Sequence, residues 1–328
     1  MRGDIRDANN ITHHGLPMTM TKVGTAIELY RVGGVRAVFD TIRDKALQGE
    51  WTPTVKRLIG KRLHHKLYMY GRLGYWPQIK NPRTFNEKII YRKLYTDKDI
   101  FSVVEDKWLV RDYVADKVGE DILPELYYVT EKPETIPFQD FPDKYVIKPN
   151  HLSGGKNFII DESTSPDEQA IQDKCKEWLN QTYGQIKEEY WYADIEAKIL
   201  VEEYIDSKNS KAPIDYKFLI FHGEVKVIHA TYNRFDDEET KRNFYDRDWN
   251  PIDVKLHFPK GEGVPKPENL DGMIQIAEKL GKGFDHIRVD LYSPGETEIF
   301  FGEMTVAGGS GGNPFEPRCY DFEFGSYW

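Results

Sequence analysis

The sequence predicts an α+β protein built on antiparallel sheets, because its strand-like runs meet across tight turns and not across intervening helices. Three stretches carry this reading. "KYVIKPN" and "NFII" flank a glycine-containing loop. "DYKFLIFHGEVKVIHATYNR" turns at His222-Gly223, and "HIRVDLYSPGETEIFFGEMTV" turns at Pro294-Gly295. Partners this close in sequence suit hairpins, whereas a parallel pair needs a crossover of a dozen residues or more. A doubly wound parallel sheet is therefore not expected.

Helices and loops fill the rest of the chain. Residues 23–48 read as a helix interrupted at Gly33-Gly34. Residues 51–76 read as a basic helix: Val55, Leu58, Ile59, Leu63, Leu67 and Tyr70 keep helical spacing, with Lys56, Lys61 and Lys66 beside them. In "NPRTFNEKIIYRKLY", Thr84 and Glu87 have the spacing of a capping box. Another helix is expected over 104–118, ending near Gly119. Residues 166–183 read as helix with Pro166 at the start. "AKILVEEYI" is a strand entering the polar loop "DSKNSKAPI". "KGEGVPKPENLDG" is an exposed loop, and a helix comes next over 269–281.

Bulk properties narrow the function classes. The chain has 328 residues, enough for a well-buried core. Its 39% hydrophobic and 30% charged residues describe a soluble globular protein. No apolar run is long enough to span a bilayer, and the N-terminal stretch lacks the apolar centre of a signal peptide. Cys175 and Cys319 stand far apart, with neither zinc-site nor disulfide-framework spacing, which points to a reducing cytoplasm. A net charge of −9 argues against nucleic-acid binding. Against that background, residues 51–76 hold six Lys/Arg and no acid. They read either as a solvated surface face or as a site for an anionic partner.

Three places carry chemistry. Lys148 precedes a loop containing Ser153, Gly154 and Gly155. The pattern matches neither GxxxxGK[ST] nor GxGxxG, and no helix opens after it. A flexible hairpin can still close over phosphates through its backbone N–H groups; the plainer alternative is an ordinary turn. In the last hairpin, Arg288 and Asp290 share one strand face, as do Glu303 and Thr305 on the next strand. If the register brings these faces together, two hard oxygen ligands suit Mg²⁺; the alternative is a plain Arg288–Glu303 ion pair. "LVEEYID" ends an apolar strand in paired acids, a place for a hinge reading adenine and ribose, or an ordinary strand end.

Taken in order, "RTFNEK", "DKWLVRDYV", "VIKPNHLSGG", "DYKFLIFHGEV" and "FGEMT…GGSG" resemble the ATP-grasp superfamily, in its teichuronopeptide-biosynthesis (TupA-like) branch. The resemblance covers about residues 80–318. It implies two α+β lobes with mostly antiparallel sheets clasping ATP: a helical region over 1–100, a small lobe over 101–205 with the glycine-rich lid, and a large lobe over 206–328 with the metal site. It implies roles for single residues. Lys107 and Lys148 reach the nucleotide, and Ser153, Gly154 and Gly155 form the lid. Glu202, Glu203, Tyr204 and Ile205 form the adenine and ribose site. Asp215 and Lys217 lie near the γ-phosphate, with Arg234 a weaker candidate of the same kind. Asp290 and Glu303 hold the metal, with Thr305 where the wider fold places an asparagine. Arg288 holds the acyl group, and Ser310 and Gly311 contact substrate.

The activity so implied is ADP-forming ligation of a carboxylate to an amine through an acyl phosphate, with ATP and Mg²⁺. The expected partners are a uronic-acid sugar or glycan of a cell-surface polysaccharide and an amine or amino acid, with no nucleic acid. Residues 51–76 are expected to touch the inner membrane face or a lipid-linked glycan. The alternatives are phosphotransfer to a hydroxyl, or a glycosyltransferase-like role in capsule or exopolysaccharide assembly. For the latter, only "DRD" at 246–248 resembles a sugar-nucleotide motif.

Overall fold

The computed structural model describes residues 47, 52–161, 167–184, 188–207, 213–234, 239–295 and 297–328. The helix expected over 23–48 lies, apart from Leu47, outside the described residues, as does Pro166. The chain divides into two compact units, Met1–Ile79 and Lys80–Trp328.

In the first unit the basic segment is two helices, α1 (Thr52–Ile59) and α2 (Lys61–Leu73), not one. Gly60 separates them with φ +78°, a left-handed conformation that a helix interior does not tolerate. Gly74 closes α2 in the αL conformation. The apolar stripe does not end in a core: Leu58 is 78% exposed and Tyr70 54%.

The second unit opens with α3 (Phe85–Tyr95). The capping box forms as spaced: Glu87 N–H donates to Thr84 Oγ1 at 3.1 Å, and Thr84 N–H donates to Glu87 Oε2 at 3.2 Å. Arg92 anchors this helix, donating from the interior to the carbonyls of His286 and Val306. The boundary between the units falls after Ile79, so α3, which the expected helical N-terminal region of 1–100 includes, belongs to the second unit.

The single helix expected over 104–118 is α4 (Ile100–Glu105) and α5 (Val110–Val118). The cause is Asp106, whose Oδ1 accepts from the N–H groups of Trp108 at 2.7 Å and Leu109 at 3.3 Å. A short acidic side chain that offers the backbone this alternative ends one helix and starts another.

Next come β1 (Leu126–Thr130), β2 (Tyr145–Pro149), β3 (Phe158–Ile160), α6 (Glu168–Leu179) and β4 (Ile199–Glu203). The strands make a sheet of order β1-β4-β2-β3, antiparallel throughout. Ile147, Ile160, Cys175, Trp178 and Val201 form its separate core. The expected hairpin around Lys148 is β2–β3.

The larger sheet uses β5 (Asp215–Phe221), β6 (Glu224–Tyr232), β7 (Lys241–Tyr245), β8 (Pro251–Ile252), β10 (His286–Tyr292) and β11 (Phe300–Thr305), in the order β11-β10-β5-β6-β7-β8. A short β9 (Lys255–Leu256) pairs with β12 (Phe315–Glu316). Both remaining expected hairpins form, whereas β7, "KRNFY", was not legible as a strand. Helix α7 (Leu270–Gly281) buries Leu270, Met273, Ile274, Ala277 and Leu280, a helical apolar face. The chain ends with α8 (Cys319–Ser326). Alternation along β10 sends Ile287, Val289 and Leu291 into the core and turns Arg288 and Asp290 the other way. Phe101, Val104, Val110 and Val114 join this core, so α4 and α5 pack with the larger sheet and not with the smaller one.

Candidate active site

The register of the larger sheet assembles the site. Asp290 lies opposite Glu303 on β11 and opposite Lys217 on β5, so one row of the sheet carries two acids and a cation. Directly paired residues share a face, and their side chains meet. Arg288 donates from Nε to Asp290 Oδ1 at 2.6 Å, and from Nη2 to Asp290 Oδ2 at 2.8 Å and Glu303 Oε1 at 2.6 Å. Lys217 pairs with Asp290 and, at 2.8 Å, with Asp215. Arg234 Nη1 donates to Asp215 Oδ2 at 3.0 Å. The convergence of carboxylates and the Arg288–Glu303 ion pair are thus both present.

Environment separates the two facing acids. Burial pushes the Asp290 carboxyl up to about 6, against the pull of Arg288 and Lys217. Burial also opposes charge on Glu303, but Arg288, Lys217 and Lys107 outweigh it and hold that carboxyl at about 2. Burial likewise works against Arg288, yet Asp290 and Glu303 keep its guanidinium above the usual arginine range.

The two lysines are placed by one asparagine. Asn150, fully buried at the end of β2, donates from Nδ2 to Asp106 Oδ1 at 3.0 Å and to the Glu196 carbonyl at 2.9 Å. Its own backbone carbonyl accepts from Lys107 N–H at 3.2 Å. Lys107 consequently sits on the turn between α4 and α5, tied to the strand that bears Lys148. Lys107 Nζ donates to the Leu152 carbonyl at 2.5 Å. A small cavity is lined by Lys107, Ser153, Glu303 and Thr305, which brings Lys107 and the Ser153 loop beside Glu303. Gly154 and Gly155 adopt φ +92° and +72°, the left-handed region in which glycine is unstrained.

Lys148 forms an ion pair with Glu202. Glu203 does not join them. As the next residue of β4 it faces the opposite side, and its Oε2 accepts from Glu125 N–H at 3.1 Å. Tyr204 and Ile205 come directly after β4, partly buried.

The glycine loop after β11 is pinned to α3. Lys93 Nζ donates to Ser310 Oγ at 2.8 Å, and a Cβ on Gly311 would lie 2.8 Å from Ile90 side-chain carbons. Ser310 and Gly311 therefore anchor the loop. Gly308 and Gly309 instead line a second cavity with Arg288, His229 and Arg242. The last two were missed as site residues. The available signal was alternation in "KRNFY", which puts Arg242 and Phe244 on one face. Glu105 was also missed: it accepts from Val306 N–H at 2.7 Å and Tyr192 Oη–H at 2.5 Å, and burial pushes its carboxyl up to about 8. In "DRD", Asp246 Oδ1 accepts from the N–H groups of Asp248 and Asn250, so that carboxylate organises a turn. Cys175 and Cys319 are free thiols.

The donor set fits Mg²⁺. Asp290 and Glu303 offer hard oxygens from paired positions, and Asp215 keeps Oδ1 buried with no hydrogen-bond partner among the described residues. Three acids face Lys217, Arg288 and Arg234, so the cluster is balanced by itself. A divalent cation entering it must bring anionic charge along, as a metal–phosphate does.

Comparison with known proteins places the chain by family. No curated protein sequence is significantly similar to the chain. Solved structures similar to it include D-alanine–D-alanine ligase from Bacillus anthracis complexed with ATP, at 17% identity and TM-score 0.38, covering 63% of this chain and 56% of that one. The ATP-grasp ligase PsnB with a precursor variant, Mg and ADP is 13% identical at TM-score 0.38, covering 80% and 64%. An L-amino acid ligase from Bacillus licheniformis is 13% identical at TM-score 0.42, covering 69% and 49%. The chain spans little more than half the length of the first of these. The family model for TupA-like ATPgrasp matches residues 87–328. Because that match covers well over half of the chain, the chain belongs to the TupA-like ATP-grasp family.

Proposed function

We propose that this chain is an ADP-forming ligase that joins a carboxylate to an amine. The observation that carries the reading is the row Glu303–Asp290–Lys217, neutralised by Arg288 and bordered by Lys107 and the Ser153 loop. Asp290 and Glu303 would hold Mg²⁺, which would supply positive charge where it builds on the phosphoryl oxygens. A substrate carboxylate oxygen attacks the γ-phosphorus of ATP, the bond to the bridging oxygen breaks, and ADP leaves. Lys107, Lys148 and Lys217 offset the charge on the phosphates. Arg288, buried among acids, stays cationic throughout. It stabilises the oxyanion as the amine attacks the acyl carbon and phosphate departs. The Ser153–Gly155 lid keeps water from the acyl phosphate.

The acid in this reading is a uronic-acid sugar of a cell-surface polysaccharide, and the amine is an amino acid, joined on the cytoplasmic side of the membrane. No helix among the described residues is long and apolar enough to cross a membrane. Support for surface attachment comes from α1, α2 and the turn after them, where exposed Leu58, Leu63, Tyr70 and Trp76 lie among six cations.

Hydroxylamine trapping tests the chemistry. With ATP, Mg²⁺ and a panel of uronic acids, a ligase releases ADP and yields a hydroxamate. ADP release that phosphorylates a hydroxyl and never yields a hydroxamate would establish the phosphotransferase alternative.

A further inference from the structure

The cavity beside Arg288 has a feature the ligase steps do not use. Its volume is about 70 Å³, and it is walled by Phe85, Phe244, Leu256 and Phe315, with Arg242 and Arg288 entering the same space. That is several times the roughly 10–15 Å³ that admits one water. No carboxylate is among the described residues that line it.

The two arginines differ in how their charge is met. Arg288 is compensated by Asp290 and Glu303 through Nε and Nη2. Its Nη1 edge turns to the loop, where a Cβ on Gly308 would lie 3.6 Å away. Arg242 makes no ion pair among the described residues. It donates from Nε to Thr231 Oγ1 at 3.0 Å and from Nη1 to the Leu256 carbonyl at 3.3 Å, and its guanidinium lies 4.7 Å over the Phe258 ring. Those contacts hold the fork in place without neutralising it. His229, 4% exposed and also lining the cavity, keeps Nδ1 buried with no hydrogen-bond partner among the described residues. A half-buried cation with no carboxylate in contact is costly unless something supplies the opposite charge.

We propose that this cavity binds a carboxylate of a substrate, with Arg242 as the group that recognises it and the apolar walls receiving the adjoining carbon skeleton. The proposal rests on the ligase reading and adds a carboxylate pocket on the side of Arg288 away from Asp290 and Glu303. A single guanidinium with no carboxylate in contact matches a monoanion, and its planar fork matches the two oxygens of a carboxylate. A phosphate would bring more charge than Arg242 alone offsets. The glycines at 308 and 309 line the cavity without side chains of their own. A Cβ on Gly309 would lie 2.4 Å from Asn313 Nδ2, so a larger residue there must displace the Asn313 side chain.

The experiment is a calorimetric titration of the full chain at constant chloride, with and without Mg²⁺ and a non-hydrolysable ATP analogue. The probes are acetate, succinate, glucuronate and an L-amino acid, each beside its neutral amide or methyl ester, and inorganic phosphate. At least one carboxylate is expected to bind wild type, and its neutral counterpart is not. Arg242→Met should weaken that carboxylate at least tenfold, keep the affinity for the ATP analogue within twofold, and melt no lower than wild type. Arg242→Lys, which keeps charge and loses the fork, should also weaken it, and it is the variant to read if Arg242→Met does not fold. Equal carboxylate affinity in wild type and variant overturns the proposal. So does tighter binding of phosphate, or failure of every carboxylate to bind wild type. A wild type that binds carboxylate but not the ATP analogue would instead sink the ligase reading and leave the pocket standing.

Discussion

Lys148 offers the most direct test of the nucleotide site. It is paired with Glu202, their side chains only 18% and 10% exposed, so neither charge is free in water. In the proposed complex Lys148 exchanges this carboxylate for a phosphate oxygen. Lys148→Ala removes a charge-assisted hydrogen bond, about 1.5–3 kcal/mol, or a loss of about 10- to 150-fold in ATP affinity. The loss should fall toward the upper end, because the substitution also leaves the Glu202 anion uncompensated near the incoming phosphates. That same orphaned acid should lower the melting temperature. Glu202→Gln releases the lysine while keeping a side-chain oxygen that accepts from a ribose hydroxyl, so ATP should bind at least as tightly as to wild type. The double variant should recover part of the stability that Lys148→Ala loses, since neither charge of the pair remains. Isothermal titration calorimetry with a non-hydrolysable ATP analogue and differential scanning calorimetry read both quantities. Unchanged affinity for Lys148→Ala, or a tenfold loss for Glu202→Gln alone, would refute the reasoning and make this pair a structural bridge between strands.

Three further outcomes are expected. Asp290→Asn and Glu303→Gln should each abolish ADP release while circular dichroism shows the fold retained; near-normal Mg²⁺-dependent turnover in both would remove the metal assignment. Glu105, held protonated by burial up to about pH 8, should give wild type a stability that declines with pH. Between the ordinary glutamate value and about 8 the unfolded chain has lost this proton and the native chain keeps it, so stability falls as pH rises, by up to about 1.4 kcal/mol per pH unit. Glu105→Gln should flatten that slope in melting curves across this range, and parallel curves would contradict the assignment. In the basic segment, Lys61, Arg62 and Lys66 changed together to Gln should weaken binding to anionic lipid vesicles and make what remains less sensitive to salt, exposed charges being screened over about 8 Å at physiological ionic strength. ATP affinity should stay unchanged, and vesicle binding equal to wild type across a salt series would leave these helices a solvated face.

Much of the site was legible because strand alternation is local. Arg288 and Asp290 share a face by period alone, as do Glu303 and Thr305, and a tight hairpin leaves few registers in which the two faces miss each other. The Thr84–Glu87 capping box and the turn at His222-Gly223 were likewise set by residues within a few positions of one another. What sequence did not reveal depends on partners far along the chain. Asp106 breaks the expected helix in concert with Asn150, 44 residues away. Glu202 and Glu203 read as one acidic strand end until pairing with β2 turned one toward Lys148 and the other toward Glu125. Arg242 drew no reading because five residues with two leading charges make a poor strand on their own. It became part of a cavity wall only when β7 paired with β6 and set Arg242 beside Thr231 and near Arg288. Sequence by itself determined which residues could share a face, since that is a matter of backbone geometry over two or three residues. Tertiary structure decided which faces meet and which charges are left uncompensated, because those depend on contacts whose free energy exists only once distant segments are packed together.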